Sequence, residues 1–81
     1  MKNGLLLNIN RIHTTEQGKQ RIKNNINLKS IDPVEYCINI VKNKNCIINK
    51  KGKNWYCKLD NIVITINSYS YTIITAHEKN D

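Results

Sequence analysis

Apolar positions change their spacing part-way along the chain, and that change divides it into a helical first half and a β second half. Leu5, Leu6, Ile9 and Ile12 recur at intervals of three and four, predicting a short first helix that ends near His13. Thr14 and Gln17 read as a capping box for a second helix from about Thr15 to Asn25, which buries Gly18, Ile22 and Ile26. Asp32-Pro33-Val34-Glu35 places a capping carboxylate, a proline at the first helical position and a glutamate at the third. A third helix therefore starts there, with Val34, Cys37, Ile38 and Val41 on one stripe and an end near Asn43.

Beyond Asn43 the period becomes two. Four strands are expected, over residues 45–49, 54–59, 62–67 and 71–77. Lys51-Gly52-Lys53 supplies a flexible glycine turn and Asp60-Asn61 suits a two-residue hairpin, so neighbouring strands should pair antiparallel. The fold class is α+β: about three N-terminal helices on one face of a four-stranded antiparallel meander. At 81 residues this makes one small domain, residues 1–81, because two cores could not both be filled.

In the third strand Ile62, Ile64 and Ile66 face the helices while Val63 and Thr65 face away. In the second, Trp55, Cys57 and Leu59 join the core, leaving Tyr56 and Lys58 outward. The fourth strand has two adjacent isoleucines. Placing Thr72, Ile74 and Ala76 inward leaves Tyr71, Ile73, Thr75 and His77 outward.

Charge adds a functional direction. The chain carries a formal net charge of +7, and no acidic residue lies between Glu35 and Asp60, a stretch holding Lys42, Lys44, Lys50, Lys51, Lys53 and Lys58. Such a surface concentrates polyanions and favours nucleic acid, an anionic membrane surface or an acidic protein; RNA or another polyanion is the expected partner, with a protein partner as the alternative. Lys19 and Lys23 extend it along the second helix. The three cysteines have no C-x-x-C spacing, so buried free thiols are expected rather than disulfides or a metal site. No cofactor is called for. Leu5-Leu6-Leu7 is far too short for a signal-peptide core or a membrane span, so a cytoplasmic protein with no membrane partner is expected.

The expected outer sheet face carries groups that a metal-independent ribonuclease uses. Proton transfer to and from ribose and leaving oxygens falls to His77 and His13, Lys53 or Lys58 supplies a cation for the phosphate, and Thr75 and Tyr56 position the substrate. The same face also serves binding without reaction: Tyr56, Tyr69 and Tyr71 stack bases while Lys50, Lys51, Lys53 and Lys58 neutralise phosphates. A third reading is a protein that binds and inhibits a nucleic-acid enzyme, as inhibitors carried by phage or other mobile elements do. No spacing here decides between catalysis and binding.

Three segments carry a resemblance: Ile12-His13-Thr14-Thr15-Glu16, Lys51-Gly52-Lys53-Asn54-Trp55-Tyr56, and Ser70 through His77. Together they resemble a family of short bacterial proteins known only as a domain of unknown function, which implies a stand-alone domain and no particular activity. The order of helices followed by a meander whose last strand bears Thr and His is similar in architecture to the barnase, colicin and RelE-like ribonuclease toxins. That similarity is an analogy of fold alone, and fold does not carry function.

Overall fold

The computed structural model describes residues 4–26 and 31–78. Lys2 and the polar residues after Glu78 lie outside them. Three helices, α1 (Gly4–Leu7), α2 (Glu16–Ile26) and α3 (Pro33–Lys42), precede strands β1 (Ile47–Lys51), β2 (Asn54–Leu59), β3 (Ile62–Asn67) and β4 (Ile73–Glu78). The strands form one antiparallel sheet in the order β1-β2-β3-β4, and the helices cover one of its faces.

The first helix is shorter than the apolar spacing predicts. It stops at Leu7, a 3-10 turn follows over Ile9–Arg11, and His13 is extended. The cause is tertiary. His13 gives its N–H to the carbonyl of Tyr71 at 3.1 Å and takes the N–H of Ile73 at 2.8 Å, so this segment lines the edge of β4. Capping of α2 also differs from the expected box. Thr15, not Thr14, accepts the N–H of Gly18, at 3.0 Å, because the Thr14 hydroxyl is drawn to the carbonyl of Ile73 at 3.1 Å. In α3 the expected cap is present: the Asp32 carboxylate accepts the Glu35 N–H at 3.0 Å, with Pro33 in the first turn.

The core fills the space between the helices and the inner sheet face. Leu5, Ile22, Cys37, Val41, Cys57, Ile64, Ile66 and Ala76 are almost wholly buried, with Ile73 beside them. β1 begins and ends two residues later than expected, and β4 begins at Ile73 rather than Tyr71. Gly52 has φ +63° in the two-residue β1–β2 turn, a left-handed conformation that glycine takes without strain.

The facing of β4 is corrected by a bulge. Register runs Ile64 with Ala76, Thr65 with Thr75, then Ile66 with Ile73, so one extra residue is accommodated at Ile74. Ile73 and Ala76 are therefore both buried, and Ile74 is exposed, the reverse of the alternation expected for the two isoleucines. Tyr71, expected outward, is buried as well. Thr75 and His77 keep the outward facing.

Candidate nucleic-acid interface

The two-residue repeat of each strand determines which side chains share the uncovered face. Cross-strand register gives three rows there: Ile47, Lys58, Val63 and His77; Asn49, Tyr56, Thr65 and Thr75; and Lys51, Asn54 and Asn67. Tyr56, Lys58, Thr65, Thr75 and His77, expected together, thus stand on one face. None of its positions is acidic.

Within that face Thr65 is 8% exposed, shielded between its register partners Tyr56 and Thr75. Tyr56 keeps 37% of its surface open, and the amide of Asn54 lies 3.5 Å from its hydroxyl. Lys58 and His77 lie in one row with Val63 between them, which puts their backbones about 10 Å apart. Both side chains are exposed, and neither has a hydrogen-bond partner among the described residues. Ile47 and Ile74 add apolar surface, at 60% and 43% exposed. The face offers one partly open aromatic ring, two lysines and an imidazole on a rigid sheet.

Other expected site residues lie elsewhere. Lys50 pairs with Trp55 in a row of the opposite face, and Lys53 belongs to the β1–β2 turn, where its carbonyl accepts the Ser68 N–H at 2.7 Å. Lys19 and Lys23 are on α2, in the helical layer, with Lys19 3.5 Å from Glu16. Tyr71 cannot stack on a base: it is 7% exposed, tilted against Trp55 at 5.3 Å between centroids, with the Arg11 guanidinium 4.4 Å from its own ring centre.

His13 and His77 are not brought together. His13 is bridged to Thr72, five residues before His77 in a nearly extended strand, a separation of about 15 Å. A general acid and base must each come within about 3 Å of atoms on one phosphodiester. The ring of His13 is also occupied. Its Nδ1 lies 2.8 Å from the carbonyl of Arg11 and its Nε2 3.1 Å from the Thr72 hydroxyl, which is 2.8 Å from the Ser70 hydroxyl. Asn67 completes the group by taking the Tyr69 and Ser70 N–H groups, each at 2.9 Å.

Arg11, Asn67, Ser70 and Thr72 were not expected around His13. A signal existed for Asn67 alone, since an asparagine before a polar loop commonly folds back on the N–H groups that follow it. Tyr71 has φ +62°, a left-handed conformation that costs a bulky residue energy, and its bonds to Asn67 and His13 hold it there.

The cysteines are free thiols; Cys37 and Cys57 are buried, as expected, whereas Cys46 is half-buried. Burial pushes Cys37 and Cys57 up to about 12, with smaller contributions from Asp32 at Cys37 and from Cys46 and Cys37 at Cys57. Burial also raises Cys46. These thiols are poor nucleophiles. Among the described residues there is no cluster suited to a metal ion, and no helix is long and apolar enough to cross a membrane.

The three segments that suggested a family meet at one end of this sheet: His13 is bonded to Tyr71 and Ile73, and Trp55 packs against Tyr71. The family model described as protein of unknown function DUF3781 matches residues 6–77. The chain belongs to that family. Nothing among the curated proteins or the solved structures matches it.

Proposed function

We infer that this DUF3781 protein is directed to RNA and engages a single strand across its uncovered sheet face. The observation that carries this reading is the association on that face of Tyr56, Lys51, Lys58 and His77 with no carboxylate among its positions. A flat strand face with an accessible ring and flanking cations stacks a base and neutralises phosphates with little rearrangement. A cytoplasmic site of action goes with this reading.

Cleavage, if the protein performs it, falls to His77 as proton carrier, with Lys58 in the same row as phosphate cation and Tyr56 and Thr75 in the adjacent row as positioning groups. His13 is too distant to be its partner. Binding is therefore the reading we favour, and metal-independent transesterification is its catalytic extension.

The test is titration of a labelled single-stranded RNA at several salt concentrations, with and without EDTA, followed by gel analysis of the RNA. Micromolar binding is expected. Its salt slope should fall by about one for each of Lys51→Ala and Lys58→Ala. An unchanged slope in the double variant would remove the face from consideration, and intact RNA after incubation would remove the catalytic extension.

A further inference from the structure

The two edges of the sheet are treated differently. β4 is closed: His13 exchanges backbone hydrogen bonds with Tyr71 and Ile73, Thr14 donates to the carbonyl of Ile73, and the Asn25 amide donates to the carbonyl of Ala76 at 3.3 Å. Side chains and backbone thus cover the groups through which another strand would pair. At β1 no described residue does the same. The two-residue turn makes Lys51 and Asn54 a hydrogen-bonded pair, and by alternation Ile48 and Lys50 direct their N–H and C=O groups away from β2.

We propose that the β1 edge docks an extended, acidic segment of a partner protein as a fifth antiparallel strand. Charge complementarity selects that occupant. Lys44 precedes the strand, Lys50 and Lys51 end it and Lys53 follows, all four exposed, and no acidic residue interrupts the stretch from Tyr36 to Leu59. A second copy of this chain would bring two such sets of lysines along one seam, at a cost that an acidic strand turns into attraction. Ile47, 60% exposed on the outer face, offers a contact for an apolar residue at the far end of the added strand. Main-chain bonds supply affinity in this mode, and alternating side chains supply selectivity. This inference does not depend on the RNA reading: it rests on the outward main-chain groups of Ile48 and Lys50, and Lys51 is a residue that both readings use.

The probe is an eight-residue, end-blocked peptide alternating valine or threonine with glutamate, compared with its glutamate-to-lysine counterpart by fluorescence anisotropy. Hydrogen exchange of the wild-type β1 amides is followed by NMR alongside. The acidic peptide is expected to bind and to slow exchange at Ile48 and Lys50. Lys50→Pro removes an outward N–H without breaking a bond to β2, and Lys50→Ala removes the same charge while keeping the N–H. The proline variant should bind at least tenfold more weakly than the alanine variant.

Equal binding by those two variants, or by the two peptides, would overturn the proposal. Protection of Ile48 and Lys50 in a concentration-dependent dimer without peptide would overturn it in favour of a second copy, and protection by single-stranded RNA alone would give the edge to RNA. Failure of the RNA reading is seen separately, in Lys51→Ala and Lys58→Ala RNA titrations, so the two ideas fail independently.

Discussion

The N–H of Ile73 reaches the carbonyl of His13 at 2.8 Å, joining a segment near the start of the chain to the last strand of the sheet. Through this bond and its neighbours the residues before α2 become the cover of an edge strand. The same contact fixes His13 about 15 Å from His77, which assigns the two histidines different roles.

His13→Ala should destabilise the fold without specifically affecting RNA. It removes the ring contacts to Arg11 and Thr72, each worth about 1 kcal/mol, so a loss of about 1–2 kcal/mol and a Tm lower by about 5–10 °C are expected. His77→Ala, at an exposed strand position, should stay within about 0.5 kcal/mol of wild type in urea unfolding while weakening RNA binding. A reversal of these two outcomes would show that His13, not His77, serves the RNA site.

Tyr56 separates a stacking role from simple attraction to charge. Tyr56→Ala should lower affinity for single-stranded RNA by about 1–3 kcal/mol, the range for losing one base–aromatic stack, and should leave the salt slope unchanged. Tyr56→Phe should retain most of that affinity, since the ring stacks and the hydroxyl makes one long contact with Asn54. If phenylalanine fails as badly as alanine, the hydroxyl is the functional group.

Much of the architecture could be read from local patterns. Asp32, Pro33 and Glu35 specify the start of α3 within four residues, and the alternation at Ile62, Ile64 and Ile66 needs only one buried face. The outward grouping of Tyr56, Lys58, Thr75 and His77 followed from the same rule. What escaped depends on residues distant in sequence. The bulge that buries Ile73 is set by its pairing with Ile66, and Thr14 leaves its expected capping place for a carbonyl 59 residues away. Tyr71 is an ordinary exposed-strand residue until Arg11 and Trp55 are placed against it.

That use of Thr14 reverses the ordinary expectation for Gly18. In a helix interior, glycine to alanine gains up to about 1 kcal/mol. Here a β-carbon on Gly18 would run into the Thr14 hydroxyl and lie 3.3 Å from the Thr14 β-carbon. Thr14 would have to move, losing its bond to Ile73 at the edge of β4. Gly18→Ala should therefore destabilise by about 1–2 kcal/mol in chemical denaturation. Adding Thr14→Ser should not relieve the clash, because the hydroxyl remains, whereas Thr14→Ala with Gly18→Ala should recover part of the loss. Stabilisation by Gly18→Ala alone would mean that the Thr14 contact contributes nothing.

The buried thiols set a limit on alkaline stability. Cys37 and Cys57 are held in their neutral forms, with ionisation pushed up to about 12 from an ordinary value of 9.0. The unfolded chain ionises them first, so it binds fewer protons than the folded protein between pH 9 and 12. Their stabilising contribution is complete below pH 9 and is lost as pH rises through that window, by up to about 1.4 kcal/mol per pH unit for each thiol. Urea midpoints should be flat with respect to these groups from pH 7 to 8.5 and fall above pH 9. Cys37→Ala and Cys57→Ala should each be less stable at pH 7, because both side chains are fully buried, yet lose stability less steeply above pH 9. Equal steepness in wild type and variants would assign the alkaline loss to other titrating side chains.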